Sequence, residues 1–215
     1  GDRQRSEARF RSGNEDDGDG FEPARNRDRK RHRGKFRDPK EKPDNDLLAR
    51  AQQKLKDHEF SDAAILLKRI LRERPRFIFC RVLLAQAYLE LERMPLVLEV
   101  ARETLSLIQD DVRAKNAESI LKAIIIYGIM MHALIGMELL EEALKVAREA
   151  LTLEKGNPEA LRHVAEAHLK IAQDSEDPQV RHYHLDETFH YAGQATQRAV
   201  EPRYADRKEE ILRHA

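Results

Sequence analysis

Nine histidines and one cysteine are the side chains of this 215-residue chain best equipped for chemistry. His163 and His168, the "HYH" run of His182 and His184, and His190 stand nearest to one another, so metal binding is the first reaction type to test. Two ligands on one helical face need a separation of three or four residues. Here the separations are five (163 to 168) and two (182 to 184), with no cysteine nearby and no HExxH arrangement. The histidines are therefore read as surface or groove residues, and neither a metal nor another cofactor is expected. Cys80 has no partner for an internal disulfide, which suits a reducing compartment, and it reads as a small core residue rather than a nucleophile. No GxSxG elbow, GxGxxG or phosphate-cradling glycine loop is present. Catalytic groups distant in sequence can still meet in a fold, so an enzyme stays open as the weaker alternative.

A second chemical feature is electrostatic. The net charge is zero, yet residues 1–45 hold 14 Lys/Arg against 11 Asp/Glu, a balance of +3, and the remainder holds 25 against 28, a balance of −3. Within that arm, residues 14–22 ("NEDDGDGFE") carry five acids and no base, whereas residues 25–42 carry ten bases and three acids. Arg25, Arg27, Arg29, Lys30, Arg31, Arg33, Lys35 and Arg37 form the dense part, with Phe36 among them. Guanidinium forks pair with phosphate and a phenylalanine can stack on a base, so RNA is one expected partner. An acidic protein surface, a localisation signal and a solubilising tail fit the same composition.

The elements that must carry these groups fall into two regions. Residues 1–44 have almost no aliphatic side chains to offset the entropy of ordering, so they are expected to be a disordered arm when free. From Asn45 onward, apolar residues recur at helical spacing, with Asp44, Asn45 and Asp46 available as N-caps, and no run alternates with period two. The helical region also repeats itself every 34 residues. Ala51 maps onto Ala85, Leu55 onto Leu89, Phe60 onto Met94, Leu67 onto Ala101 and Leu71 onto Leu105. "MELLEEALKVAREALTLEKGNP" restates the second half of this pattern, and "NPEALRHVAEAHLKIA" places Leu161 and Ala165 34 positions beyond Tyr127 and Met131. That makes four helix-turn-helix units.

This pattern resembles the tetratricopeptide repeat family over about residues 46–200. The small residue where the two helices of a unit meet falls at Ala51, Ala85 and Ala165, with Met131 replacing it in the third unit, which is expected to pack more loosely. The alanine opening the second helix is Ala63 and Ala143, with Val97 between them; Pro75 and, slightly displaced, Pro158 stand at unit ends. The resemblance implies an all-α fold: a short right-handed α-solenoid of about four units over 45–200, with a capping helix over 201–215 covering the last unit. Twelve extra residues between Val97 and Ala143 are expected to lengthen helices around the second-to-third junction. The stretch 174–184 is expected to open the fourth unit ahead of a helix from about 185 to 200.

Such stacks bind extended or helical peptides in a concave groove lined by the first helix of each unit. Carried onto this chain, the lining positions are Leu48, Gln52 and Leu55; Phe79, Val82, Gln86 and Leu89; Ile125, Gly128, His132 and Ile135; and Arg162, Glu166 and Leu169. Family members that clamp acidic C-termini of heat-shock proteins place Lys and Asn at such positions. Here Leu48, Gln52, Leu83, Ile125 and Ile129 occupy them, so that activity is not carried over. The apolar middle of the groove suits an amphipathic helix or hydrophobic segment of a protein partner. It equally suits a central helix buried under the third-unit insertion.

Together these readings describe a non-catalytic adaptor subunit of a larger assembly, with a ribonucleoprotein or organellar ribosome as the favoured setting. The alternative is a free-standing protein-protein adaptor. The longest apolar stretch, 123–137, is shorter than a membrane span and is interrupted by His132 and two glycines, so a soluble intracellular protein without a small-molecule substrate is expected. A glycine start fits a processed chain or a fragment of a longer one.

Overall fold

The structure is a computed structural model, and it describes residues 45–201 and Tyr204. Both the basic arm and most of the expected capping helix lie outside the described residues. Eight helices follow one another in the described chain: α1 (Asn45–Lys56), α2 (Phe60–Glu73), α3 (Ile78–Glu90), α4 (Met94–Arg113), α5 (Ala117–Gly136), α6 (Leu140–Leu153), α7 (Pro158–Asp174) and α8 (Pro178–Ala199). No strand occurs among the described residues. Each helix packs on the next, and α5 also meets α3 and α7, so the pairs α1/α2, α3/α4, α5/α6 and α7/α8 stack as four units.

The repeat register is visible in what each helix buries. Along the second helices, Ala63, Val97 and Ala143 are fully buried, followed by Ala64, Leu98 and Leu144, then Leu67, Ala101 and Ala147. Offsets of one and four residues put these side chains on a single stripe, which removes it from water against the first helices. At the meeting point within a unit, Ala51, Ala85 and Ala165 are all buried, and Met131 is fully buried in the third.

Turns between paired helices repeat as well. His58, Glu92 and Glu138 adopt φ of 59°, 53° and 62°, the left-handed conformation usually given to glycine. In each case the next residue donates its N–H five positions back: Glu59 to the Lys54 carbonyl at 2.8 Å, Arg93 to Tyr88 at 2.9 Å and Leu139 to Leu134 at 2.9 Å. This hydrogen bond satisfies a carbonyl that the helix end would otherwise leave orphaned. Asn116, Asn157 and Asp177 cap α5, α7 and α8 with side-chain oxygens, and prolines open α7 and α8 where no backbone donor is needed.

Two expectations on the insertions resolve differently. The second-to-third junction is absorbed as helix: α4 and α5 each run to 20 residues. The fourth unit departs from expectation, because α8 begins at Pro178, not near 185, so the "HYH" run lies inside the helix. Asp177 caps that start and Pro178 occupies its first turn, which moves the break to Ser175–Asp177.

The apolar character of α5 comes largely from its place in the stack. Ten of its residues are buried, because α3, α4, α6 and α7 cover it from several sides. It is the one described helix long and apolar enough to cross a membrane, and more than half of it is buried inside the fold. Ile125 and Ile135 are only partly covered, which leaves a strip of this helix facing the concave side.

Candidate partner-binding cleft

The groove positions form a ladder that the repeat period sets. Gln52, Gln86, His132 and Glu166 are successive copies of one position, separated by 34, 46 and 34 residues. Leu48, Val82, Gly128 and Arg162 are copies of a second, and Leu55, Leu89, Ile135 and Leu169 of a third. Helices in one stack present equivalent residues side by side, so each set runs across the concave face. Going from the first to the fourth unit, the first set changes from polar to charged and the second from apolar to charged, while the third stays apolar.

A cleft of about 630 Å³ lies on this face. Of the expected lining residues, Leu55, Gln86, Leu89, Ile125, Gly128, His132 and Arg162 line it. Leu48, Gln52, Phe79, Val82, Ile135, Glu166 and Leu169 stand on the same helices outside it. Leu48, Val82 and Ile135 are half-buried against the core, and Phe79 packs on Phe77 with ring centroids 6.4 Å apart. Sequence reasoning missed Phe60, Glu90, Leu121, Asn157, Pro158, Glu159, His163, Ala199 and Tyr204, whereas Ile129, read as one of the groove positions where other family members clamp a carboxylate, does line the cleft. His163 lies one residue beyond Arg162, so widening that strip by one position would have found it.

One wall of the cleft is a bonded polar network. His132 Nε2 lies 2.9 Å from Glu166 Oε1, joining α5 to α7 across one repeat period, and Arg162 donates to the other carboxylate oxygen at 3.2 Å. Arg162 Nε also donates to Glu159 at 3.1 Å. The hydrogen bond from His132 is the main influence holding the Glu166 carboxyl below its ordinary range, against the opposing effect of burial. Behind them, His163 is 4% exposed, and its ring meets that of His132 edge-on at 6.3 Å. Its Nδ1 has no hydrogen-bond partner among the described residues. Burial, reinforced by the charge of Arg162, lowers the His163 pKa to about 4, so the ring is neutral at pH 7. Gly128 makes room for it: a Cβ there would stand 2.3 Å from His163 Cε1.

His182 and His190 are exposed as expected, but two other histidines occupy a different place. His168 is fully buried and His184 nearly so, between α7 and α8, rather than at the surface or in the groove. Their Nδ1 atoms are 2.9 Å apart, and His168 Nε2 is 3.4 Å from Arg148 Nη2. Arginine only donates, so Nε2 of His168 is the acceptor, its proton sits on Nδ1, and that N–H donates to His184. Burial pushes the His168 pKa down to about 4, with His184 and Arg148 acting in the same direction. Tyr191 stacks on the His168 ring at 5.8 Å. No group of three His, Cys, Asp or Glu able to hold a metal forms among the described residues. Cys80 is fully buried, and desolvation pushes its thiol up to about 12, which leaves it protonated and inert.

No protein-family model matches this chain, and no curated protein matches it. Solved structures do. "MamA MSR-1 C2" aligns with a TM-score of 0.51 at 15% identity, over 72% of this chain and 77% of its own length. "MamA RS-1 ArsTM double mutant" aligns with a TM-score of 0.50 at 17% identity, over 70% of this chain and 76% of its own. At such identities the likeness speaks for the fold alone. Four stacked helix pairs, buried small residues in 34-residue register, repeated left-handed turns and this likeness show that the chain has a tetratricopeptide-like helical-repeat fold.

Proposed function

We propose that the chain is a non-catalytic adaptor that holds a helical or extended segment of a protein partner in its concave cleft, while the basic arm makes a second contact with RNA. The observation that carries the first half is the cleft itself. Leu55, Leu89 and Ile125 offer an apolar floor, and Arg162 with its bound carboxylates offers a polar edge. Such a surface suits an amphipathic segment, whose apolar face is desolvated while its charges stay at the rim. A repeat stack supplies this surface without the constellation of nucleophile and base that catalysis needs. The arm's support is its composition, ten bases in residues 25–42.

Gln86→Arg together with Arg162→Glu is the test of the cleft, because both residues are exposed and their substitution leaves the core untouched. Affinity capture with the full chain is expected to lose its partner in the double variant, at unchanged helicity by circular dichroism. Undiminished capture would place the interface elsewhere. For the arm, neutralising about five phosphates gives a slope near −3.5 for log affinity against log salt with single-stranded RNA, from roughly −0.7 per phosphate. The absence of salt-dependent RNA binding would leave an acidic protein surface as the arm's target.

A further inference from the structure

Repeat helices are not the sole lining of the cleft. Ala199, at the end of α8, and Tyr204 beyond it share its wall with Asn157 and Pro158 at the start of α7. Tyr204 is 7% exposed, whereas Val200, between the two, is 78% exposed. The chain turns to bring this about: Arg198 pairs with Glu201 at 2.7 Å, and the Tyr204 N–H donates to the Glu201 carbonyl at 2.9 Å. The sequence places Pro202 just after Glu201, the position that such an i to i+3 closure favours for proline. A residue from beyond the fourth unit therefore lines the same cleft as Leu55 of the first.

We propose that residues 201–215 are an occupant of the cleft supplied by the chain itself, anchored by Tyr204, which a partner segment must displace. This rests on reading the cleft as the partner-binding surface. A tyrosine removes roughly 150–250 Å² from water and keeps a polar tip, the combination that makes aromatic anchors at interfaces. The hold is local, since His184 is the one buried residue of α8 and the end of that helix contributes no core side chain. Beyond the anchor, Ile211 and Leu212 follow Tyr204 at seven and eight residues, one helical stripe, with Asp206, Arg207, Lys208, Glu209, Glu210 and Arg213 interspersed. That is the pattern of the amphipathic segments a groove of this kind takes. The partner that fits is accordingly an amphipathic segment with an aromatic at the anchor position. A tail seated for 90 to 99% of the time would weaken a competitor by about 10-fold to 100-fold.

The test uses a fluorescein-labelled peptide of residues 201–215, titrated by anisotropy against the full chain and against full-length Tyr204→Ala. Saturable binding to Tyr204→Ala, at least about 10-fold tighter than to the unaltered chain, is expected, because the variant vacates the site the peptide enters. A peptide with alanine in place of Tyr204 should bind neither. Equal affinity for both chains, or no binding to Tyr204→Ala, overturns the proposal, and so does loss of helicity in that variant, which would make Tyr204 part of the core. A second arm puts benzoylphenylalanine at position 204 of the full chain. Photocrosslinks to Leu89 or Ile125 that fade with excess unlabelled peptide support a displaceable tail; crosslinks the peptide cannot reduce refute it. If these fail while Gln86→Arg with Arg162→Glu still abolishes partner capture, the tail proposal falls and the cleft reading stands.

Discussion

Gly128→Ala measures how tightly α5 and α7 are held together under the cleft. In an ordinary exposed helix this change is favourable by about 1 kcal/mol, because alanine lowers the backbone entropy lost on folding. Here the added Cβ would stand 2.3 Å from Cε1 and 2.4 Å from Nε2 of His163, about 1 Å inside normal contact. The ring is 4% exposed, so it has little free space to move into. Overpacking of this size costs about 1–3 kcal/mol, which outweighs the propensity gain and leaves a net loss of about 1 kcal/mol. Removing the ring reverses the sign: in a His163→Ala background, Gly128→Ala should stabilise by about 1 kcal/mol. The double-mutant cycle is therefore expected to show a coupling of about 2 kcal/mol. Urea denaturation of all four proteins, followed by circular dichroism, supplies the free energies, and melting temperatures should shift by about 2–4 °C per kcal/mol. Additive effects, with Gly128→Ala stabilising both backgrounds alike, would refute the close approach of His163 to α5.

Two further outcomes follow from the same structure. His163 and His168 have pKa values lowered to about 4 from 6.5, so the unfolded chain binds more protons than the folded one between those values. Stability is therefore full above about pH 6.5 and falls as pH drops toward 4, by about 3 kcal/mol for each histidine. Urea midpoints from pH 7.5 to 4.5 should track this loss, and His163→Gln should remove about half the slope; a flat profile would contradict the burial of both rings. Glu138→Gly, at φ 62°, should stabilise by up to about 1 kcal/mol by relieving the left-handed strain, the reverse of glycine's effect inside a helix. A lower urea midpoint for this variant would argue against that turn conformation.

Local periodicity made the units legible before any coordinates. Alanines at 51, 85 and 165, with Ala63 and Ala143, mark where helices must approach, because close packing tolerates only small side chains there, and these residues are all buried. The same period placed Gln86, Leu89, Ile125, His132 and Arg162 on the concave face, since equivalent positions in a stack share one side. Met131 shows the limit of that logic: a long side chain stands where the period expects a small one, and it is fully buried. Neighbouring helices decide how much volume a site has, and they are distant in sequence. Separations of five and two set His168 apart from His163 and His184 apart from His182, but could not pair His168 with His184 across α7 and α8, because ring contacts depend on how helices dock. Nor could Tyr204 be assigned to the cleft, since the turn at Glu201 is local but the surface that Tyr204 then meets depends on how α7 and α8 dock. The sequence by itself determined the helices, their register and the face they share, all of which follow from the spacing of apolar and small residues. Only the tertiary structure decided which side chains meet, because contact between elements depends on docking geometry that no local pattern encodes.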